Sequence, residues 1–283
     1  MLTDRRYGLV GDPVAHSLSP LLFRAAFSFL EIPADYKAYR VLRGDGEGLR
    51  MKMRELASGG GNVTVPHKES AARLLDVRSV TVERTGVTNC FWLDPKGRLA
   101  GDNTDVGGFL AAAADLEGLR LEGAAVLLLG AGGAARAVAA ACASAGVRQL
   151  DVWNRSARRA RTLISDLGLA AIATASLTPA AASHTYDLVV NATSLGLDPA
   201  DPLPLELKAE RFRYALDLVY GPGGTDWTRH ASEAGVPSLD GHSMLVNQAL
   251  LSLERWIGEV SDPAGVARAM WKAAGSTPDR RAR

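Results

Sequence analysis

Cysteine is almost missing from this sequence. Cys90 and Cys142 are the only two in 283 residues, and neither has a neighbour at metal-ligand spacing. Nothing in their placement suggests a disulfide. Histidine is scarce too, at five scattered residues, so no metal site is expected. An excess of one charge is also lacking. The 32 Lys and Arg offset 31 Asp and Glu, for a formal net charge of +1. That removes the electrostatic case for a nucleic-acid partner. No unbroken apolar run is long enough for a membrane. The longest, over 124–145, is interrupted by glycines and Arg136. The opening MLTDRRYGLV lacks an apolar signal core, so a cytoplasmic protein is expected. Internal repeats, coiled-coil heptads and low-complexity tracts are absent as well, and the closing GSTPDRRAR reads as a frayed basic tail. With 47% hydrophobic residues, the chain has enough apolar material for two ordinary globular domains.

What is present centres on AAVLLLGAGGAARAVAAACASA, residues 124–145. It reads as a buried strand at Val126–Leu129, a glycine turn and a helix of small residues. Gly130, Gly132 and Ala135 fill the marked positions of G-x-G-x-x-G/A. The first permits the turn, the second lets a pyrophosphate approach the backbone, and the third lets helix pack closely on strand. The helix start offers unpaired N–H groups to phosphate. A glycine turn between any strand and helix is the plain alternative. Regular βα alternation follows, with strands at Leu150–Trp153, Ala170–Ala173, Asp187–Val190, Tyr214–Val219 and Val236–Leu239, the pattern of a parallel sheet. At the end of the second strand of this domain an NAD site usually carries Asp or Glu. Here Asn154 and Arg155 stand there, with Arg158 and Arg159 one turn on. Guanidinium attracts a 2′-phosphate that a carboxylate would repel, which predicts NADP over NAD. The alternative is a basic helix start serving solubility. Asp151, within the strand, is not read as the ribose acid.

The first hundred residues carry a different set of signals. Strands are predicted at Tyr7–Val10, Tyr36–Val41 and near Val63–Val65, and a hairpin joins Val87–Leu93 to Arg98–Ala100 through Asp94–Gly97. A helix follows Pro20, with Ser19 as its N-cap and Ser17 outside the cap. Another helix covers Leu49–Leu56, and one starts near His67. Lys68 then falls in a first helical turn, where the dipole disfavours a cation; a solvated surface lysine is the plain alternative. A helix over Val106–Leu116 follows GDNTD, whose Asp102 or Thr104 fits a cap and whose Asp105 fits a first-turn acid. Polar residues gather at strand ends and turns: Ser17, Ser19, Asn62, Thr64, Asn89 and Asp102–Asp105. Hydroxyls and amides there suit a small polyhydroxylated substrate. One lysine and one aspartate suit proton transfer at an alcohol oxygen while hydride moves to or from nicotinamide.

The segments GDPVAHSLSP, GGGNVTVPHK, TGVTN, GDNTDVGG, GAGGAARA, NRS, NATSLG, DLVYGPGGT and GHSMLVNQA occur in that order. Together they resemble the shikimate dehydrogenase family along nearly the whole chain. The resemblance implies reversible NADPH-dependent reduction of 3-dehydroshikimate to shikimate, on the route to chorismate and aromatic amino acids. Carried over by motif, Ser17 and Ser19 would hold the substrate carboxylate. Asn62, Thr64, Asn89 and Asp105 would bind ring hydroxyls, with Lys68 and Asp105 as the catalytic pair. Gln248 would reach the substrate from a late helix, and Tyr220 would line the cleft. Gly130, Ala131, Gly132, Gly133 and Ala134 would hold pyrophosphate, and Asn154, Arg155, Ser156 and Arg159 the adenosine phosphate. Thr193, Val219, Gly241 and Met244 complete the implied cofactor set.

The implied fold is α/β, with two domains and a cleft between them. A substrate domain at 1–104 would be completed by helices at 241–283, and a Rossmann-like doubly wound NADP domain would span 105–240. A monomer or homodimer is implied. The chain departs from the family pattern at Phe23-Arg24 (often His-Asn), Cys90 (usually Thr), Ala249 (often Gly) and Asp226 (often Pro). Quinate and aminoshikimate dehydrogenases are the rival enzyme readings, and Ser19 speaks against quinate, since some quinate-using relatives carry Thr there. A non-catalytic NADP(H)-binding regulator is the rival outside enzymology.

Overall fold

The computed structural model of the chain describes residues 5–176, 185–198 and 200–275. The basic tail beyond residue 275 lies outside them. The chain divides into two compact units, one running to Gly108 and resuming at Leu245, the other spanning Phe109–Met244. The sequence places these boundaries at 104/105 and 240/241, four residues earlier on both sides. Both changes of unit therefore fall inside helices, and Asp105 belongs to the first unit.

The first unit begins with β1 (Tyr7–Gly11), α1 (Ser19–Phe29), β2 (Tyr36–Arg40), α2 (Gly46–Leu56), β3 (Gly60–Val63) and α3 (Lys68–Leu74). It continues through β4 (Val77–Arg78), α4 (Val80–Thr85), β5 (Cys90–Leu93), β6 (Leu99–Asp102) and the start of α5 (Asp105–Ala114). Its sheet runs β2-β1-β3-β5-β6-β4 and is mixed, because β5 pairs antiparallel with both β3 and β6. Strand alternation serves two cores. Tyr7, Leu9 and Cys90 face one, with α1 and two late helices; Val10, Val63 and Phe91 face the other, with α2 and α3.

The second unit carries β7 (Ala125–Leu129), α6 (Gly133–Ser144), β8 (Gln149–Trp153), α7 (Ala157–Asp166) and β9 (Ala173–Ser176). Then come β10 (Tyr186–Asn191), β11 (Phe212–Asp217), α8 (Asp226–Glu233) and β12 (Ser238–Leu239). The helices α9 (His242–Ile257) and α10 (Pro263–Ala273) close the chain, α9 beginning in the second unit and α10 lying in the first. All six strands of the second sheet are parallel, in the order β12-β11-β10-β7-β8-β9. Read from β9, that is the doubly wound order 3-2-1-4-5-6, whose direction reverses between β7 and β10. Every residue of β7 is buried, as a strand covered on both faces requires.

Several local expectations need correction. Ser19 is not an N-cap. It is the first helical residue of α1, and the Ser17 hydroxyl accepts its N–H at 3.2 Å. The third strand of the second sheet starts at Ala173, not Ala170, because Ile172 and Ala173 both donate to the Leu169 carbonyl in a turn. The first strand of the hairpin begins at Cys90 rather than Val87, since Thr85, Val87 and Thr88 are held in a side-chain-bonded turn. The short α4 is not evident from the sequence. Its residues, VTVERT, are rich in β-branched side chains, yet Ser79 caps it and Gly86 ends it in the left-handed region.

Candidate active site

In the first unit, the carboxyl ends of the strands and the inner face of α9 supply one continuous polar cluster. Lys68 opens α3, and its ammonium is bonded to the Asp105 carboxylate at the start of α5. Asp105 offsets the unfavourable dipole that a helix start presents to a cation. Both side chains are largely buried, at 13% and 8% exposure, so little water screens the pair. The other Asp105 oxygen accepts from Asn89 Nδ2 at 2.8 Å. Asn89 Nδ2 also approaches Thr104 Oγ1 at 2.9 Å and Gln248 Oε1 at 3.2 Å, while its Oδ1 accepts from the Thr104 N–H at 2.8 Å.

Asn62 sits deeper. Its Nδ2 donates to the Asn89 carbonyl at 3.0 Å and to Ser252 Oγ at 2.9 Å, and its Oδ1 accepts from the Tyr36 hydroxyl at 2.8 Å. Both amide hydrogens are thus committed to the protein, which leaves one Oδ1 lone pair for a ligand. Thr64 is half-buried, and its hydroxyl has no partner among the described residues. Ser17 and Ser19 share a hydroxyl–hydroxyl bond of 3.2 Å at the start of α1. Of the sequence-predicted substrate residues, the structure brings together Asn62, Lys68, Asn89, Asp105 and Gln248. Tyr220 belongs to the second unit, where its ring lies 5.3 Å from that of His242.

Three members of the cluster escape the motifs: Tyr36, Thr104 as a bonding partner, and Ser252. Ser252 donates to the Gln248 carbonyl and meets Thr104 Oγ1 at 3.0 Å. Arg255 Nε reaches Asp102 at 2.8 Å. The available signal is a polar stripe at 248, 252 and 255 on a helix otherwise apolar toward the core. Asp102 belongs to the scaffold. It accepts from Ser79, Thr81, Arg255 and the Asn103 N–H, and although burial opposes ionisation these donors hold its pKa below the usual carboxylate value.

In the second unit, Gly130 leaves β7 with φ +114°, and a Cβ there would lie 2.7 Å from the Ala192 carbonyl. A Cβ on Gly132 would meet nothing within 4 Å. Packing within the protein does not require that glycine, but a phosphate approaching the backbone would. Gly132 precedes α6 without any side-chain cap, so the N–H groups of Gly133 and Ala134 stay available to an anion. Beyond β8, Arg155, Arg158 and Arg159 are exposed, and their guanidinium groups form no ion pair among the described residues. Asn154 Nδ2 donates to the Ser156 carbonyl at 3.0 Å. Asp151 is held within the fold by Tyr186 at 2.5 Å, Gln149 at 3.0 Å and Thr174. Thr193 follows β10, Val219 follows β11, and Met244 is buried in α9. A Cβ on Gly241 would strike the Leu218 carbonyl, which accounts for that glycine by packing. The residues present fit a dinucleotide with an extra phosphate: open space above Gly132, open helix N–H groups and cations without an ion pair among the described residues.

Comparison with known proteins gives the same answer. Residues 9–91 match the model of the shikimate dehydrogenase substrate binding domain, and residues 111–196 match shikimate / quinate 5-dehydrogenase. The chain is 41% identical to a shikimate dehydrogenase (NADP(+)) of Thermus thermophilus, over 95% of this chain and 99% of that one.

The chain belongs to the shikimate dehydrogenase family.

It is also 35% identical to the shikimate dehydrogenase (NADP(+)) of Geobacillus kaustophilus, over 92% of this chain and 95% of that one. Among solved structures, a shikimate dehydrogenase from Aquifex aeolicus superposes with a TM-score of 0.83 at 29% identity, covering 94% of this chain and 97% of that one. A Thermus thermophilus shikimate 5-dehydrogenase in complex with NADP(H) and shikimate gives 0.79 at 37% identity, covering 95% and 99%. Where this chain departs from the family pattern, the changes fall in packing or on the surface. Phe23 stacks on Tyr36 at 4.4 Å, Arg24 pairs with Asp35, Cys90 and Ala249 are core residues, and Asp226 pairs with Arg229 in the open. Burial pushes both cysteine thiols up to about 12, which leaves them inert. No group of three metal-ligating side chains occurs among the described residues, and no helix there is long and apolar enough to cross a membrane.

Proposed function

We propose that this chain catalyses the reversible NADPH-dependent reduction of 3-dehydroshikimate to shikimate. The observation that carries the reading is the buried Lys68–Asp105 pair, set among amides and hydroxyls that can bind a polyhydroxylated ring. NADPH, when bound, supplies the hydride. The Lys68 ammonium donates a proton to the substrate carbonyl oxygen, and in the oxidation direction the neutral Lys68 amine takes the proton from the hydroxyl. Asp105 keeps the ammonium aimed and accepts from a neighbouring ring hydroxyl, while Asn89 fixes the carboxylate through its second oxygen. Thr64, Gln248 and the remaining lone pair of Asn62 bind other hydroxyls, and Tyr220 bounds the ring. Ser17 and Ser19 orient the substrate carboxylate, Ser17 through a hydroxyl that already ties the start of α1.

Gly130–Ala134 cradle the pyrophosphate. Arg155 and Arg159, with Asn154 and Ser156, hold the 2′-phosphate and so select NADP over NAD. Thr193, Val219, Gly241 and Met244 contact the nicotinamide half. The first unit is the substrate domain and the second the nucleotide domain. A cytoplasmic location and a monomer or homodimer go with this reading, tested by cell fractionation and sedimentation. The deciding assay is NADP⁺ reduction with shikimate and with quinate. Quinate carries an extra hydroxyl on an sp³ carbon beside the carboxylate, which needs its own partner at a cost of about 1–3 kcal/mol. The expected result is a preference for shikimate of at least about tenfold in kcat/KM. Equal efficiency on quinate refutes the assignment to shikimate alone, and turnover of neither refutes the reaction.

A further inference from the structure

Asp217 is a buried carboxylate that none of the motif-derived roles uses. It ends β11 and is 1% exposed. One oxygen accepts from Asn191 Nδ2 at 2.8 Å and from the Val219 N–H at 3.0 Å, and the other accepts from Thr225 Oγ1 at 2.7 Å. No cation pairs with it among the described residues. Its three donors are neutral, and burial together with nearby Asp240 pushes its pKa up to about 6. Asp240 is itself bonded to His242 Nδ1 at 2.9 Å. An ionised carboxylate in such a place weakens the fold, so stability gives no reason for it to be there.

The geometry gives a reason. Asn191, opposite Asp217 in the register of β10 and β11, uses its Oδ1 to accept from both the N–H and the hydroxyl of Thr193, at 3.1 and 2.7 Å. Thr193 N lies 3.3 Å from where a Cβ on Gly130 would stand. From one carboxylate, therefore, one arm runs through Asn191 to the loop beside the glycine turn. A second runs directly to the backbone just before Tyr220, and a third reaches the cap of α8. A carboxylate accepts from all three donors at once; an amide in its place turns N–H toward the Thr225 hydroxyl, which must then accept where it donated.

We propose that Asp217 is a positioning residue of the nucleotide site, holding the loops after β10 and β11 in the one arrangement that accepts NADP. The inference rests on the reading that this unit binds NADP. It differs from a purely structural role in a measurable way. Asp217→Asn removes a buried charge but misdirects the loops, so cofactor affinity falls while thermal stability at pH 7 does not.

The test uses the full chain, with NADP⁺ as titrant in calorimetry and steady-state kinetics alongside. Asp217→Asn is expected to raise the NADP⁺ Kd by about tenfold or more, with the Tm at pH 7 undiminished. A folded Asp217→Asn protein whose Kd stays within about twofold of wild type overturns the proposal. If that variant does not fold, Thr225 decides. Thr225→Val, which removes one donor, should weaken NADP⁺ binding, and Thr225→Ser, which restores the hydroxyl, should recover it. Equal binding by the two overturns the proposal. A wild-type chain that binds no NADP⁺ overturns the underlying reading as well, and is recognised before any variant is compared.

Discussion

Lys68→Met removes the proton donor and also strips a buried carboxylate of its cation, and the two effects can be separated. The thioether chain of Met matches the lysine stem in volume, so packing changes little. Loss of a positioned proton-transfer group costs about 10²- to 10⁴-fold in kcat. Stability responds differently. In wild type, Asp105 has Lys68 on one oxygen and Asn89 on the other, and its side chain is only 8% exposed. Taking away one partner of such a pair costs about 3–5 kcal/mol, because the remaining charge stays buried. Replacing both charges should recover most of that loss. The expected pattern is therefore a Lys68→Met enzyme that is slow and less stable, and a Lys68→Met/Asp105→Asn enzyme that is equally slow or slower but close to wild type in stability. Urea unfolding reads the stabilities, and shikimate-dependent NADP⁺ reduction reads the rates. Near wild-type turnover in folded Lys68→Met refutes the proton-transfer role. A double variant no more stable than the single one refutes the buried pair as the source of the loss.

Arg155→Ala should raise the KM for NADP by roughly 10- to 100-fold and leave the KM for NAD almost untouched, as loss of a charge-assisted bond worth ~1.5–3 kcal/mol implies; equal use of NAD and NADP by wild type contradicts this. Ser252→Ala leaves Asn62 Nδ2 and the Thr104 hydroxyl each short of a partner in the interior. It should cost about 1–3 kcal/mol in urea unfolding, and Ser252→Thr, which keeps the hydroxyl, should cost less. Asp217 predicts a pH effect of definite sign. Its folded pKa of about 6 lies above the ordinary 3.8, so the native state binds the extra proton and wild-type stability falls as pH rises from 4 through 6. The difference corresponds to about 3 kcal/mol. Between pH 4 and 7, Asp217→Asn should therefore gain roughly that much relative to wild type, and parallel stability profiles would refute it.

The second unit is the more legible half because its signals are local. A buried strand, a glycine turn and a small-residue helix need only neighbouring residues to be recognised, and the βα alternation repeats the period. The space above Gly132 is open, and Arg155, Arg158 and Arg159 after β8 are exposed. In the first unit the candidate catalytic residues are legible by motif, but their wiring is not. Tyr36 to Asn62, Asn62 to Ser252 and Asp102 to Arg255 join residues far apart in the chain, and no local pattern encodes such pairs. The short α4 and the late start of β5 are hidden for the opposite reason. There β-branched residues suggest strand, and side-chain bonds from Ser79, Thr85 and Thr88 override them.

The buried aspartates show why a residue's neighbours, not its letter or its place in a motif, decide its work. Asp102, Asp105, Asp151 and Asp217 are all at most 7% exposed. Asp102 and Asp105 stand three residues apart in GDNTD. Asp102 faces two hydroxyls and a backbone N–H at one oxygen and Arg255 at the other, donors that tie it to the scaffold. Asp105 faces one ammonium and one amide, so accepting capacity remains beside a proton donor. Asp151 stands at the strand where an NAD enzyme would want its ribose acid, yet a tyrosine, a threonine and a glutamine side chain consume it. Asp217 has no cation among the described residues, and its donors all belong to β10 and the loops that follow β11. On the roles proposed above, two of the four brace the fold, one does chemistry, and one costs stability where loop geometry benefits. The last is separable from the bracing pair by a single comparison: Asp102→Asn and Asp151→Asn should lower the Tm without changing the NADP⁺ Kd, the reverse of what Asp217→Asn should do.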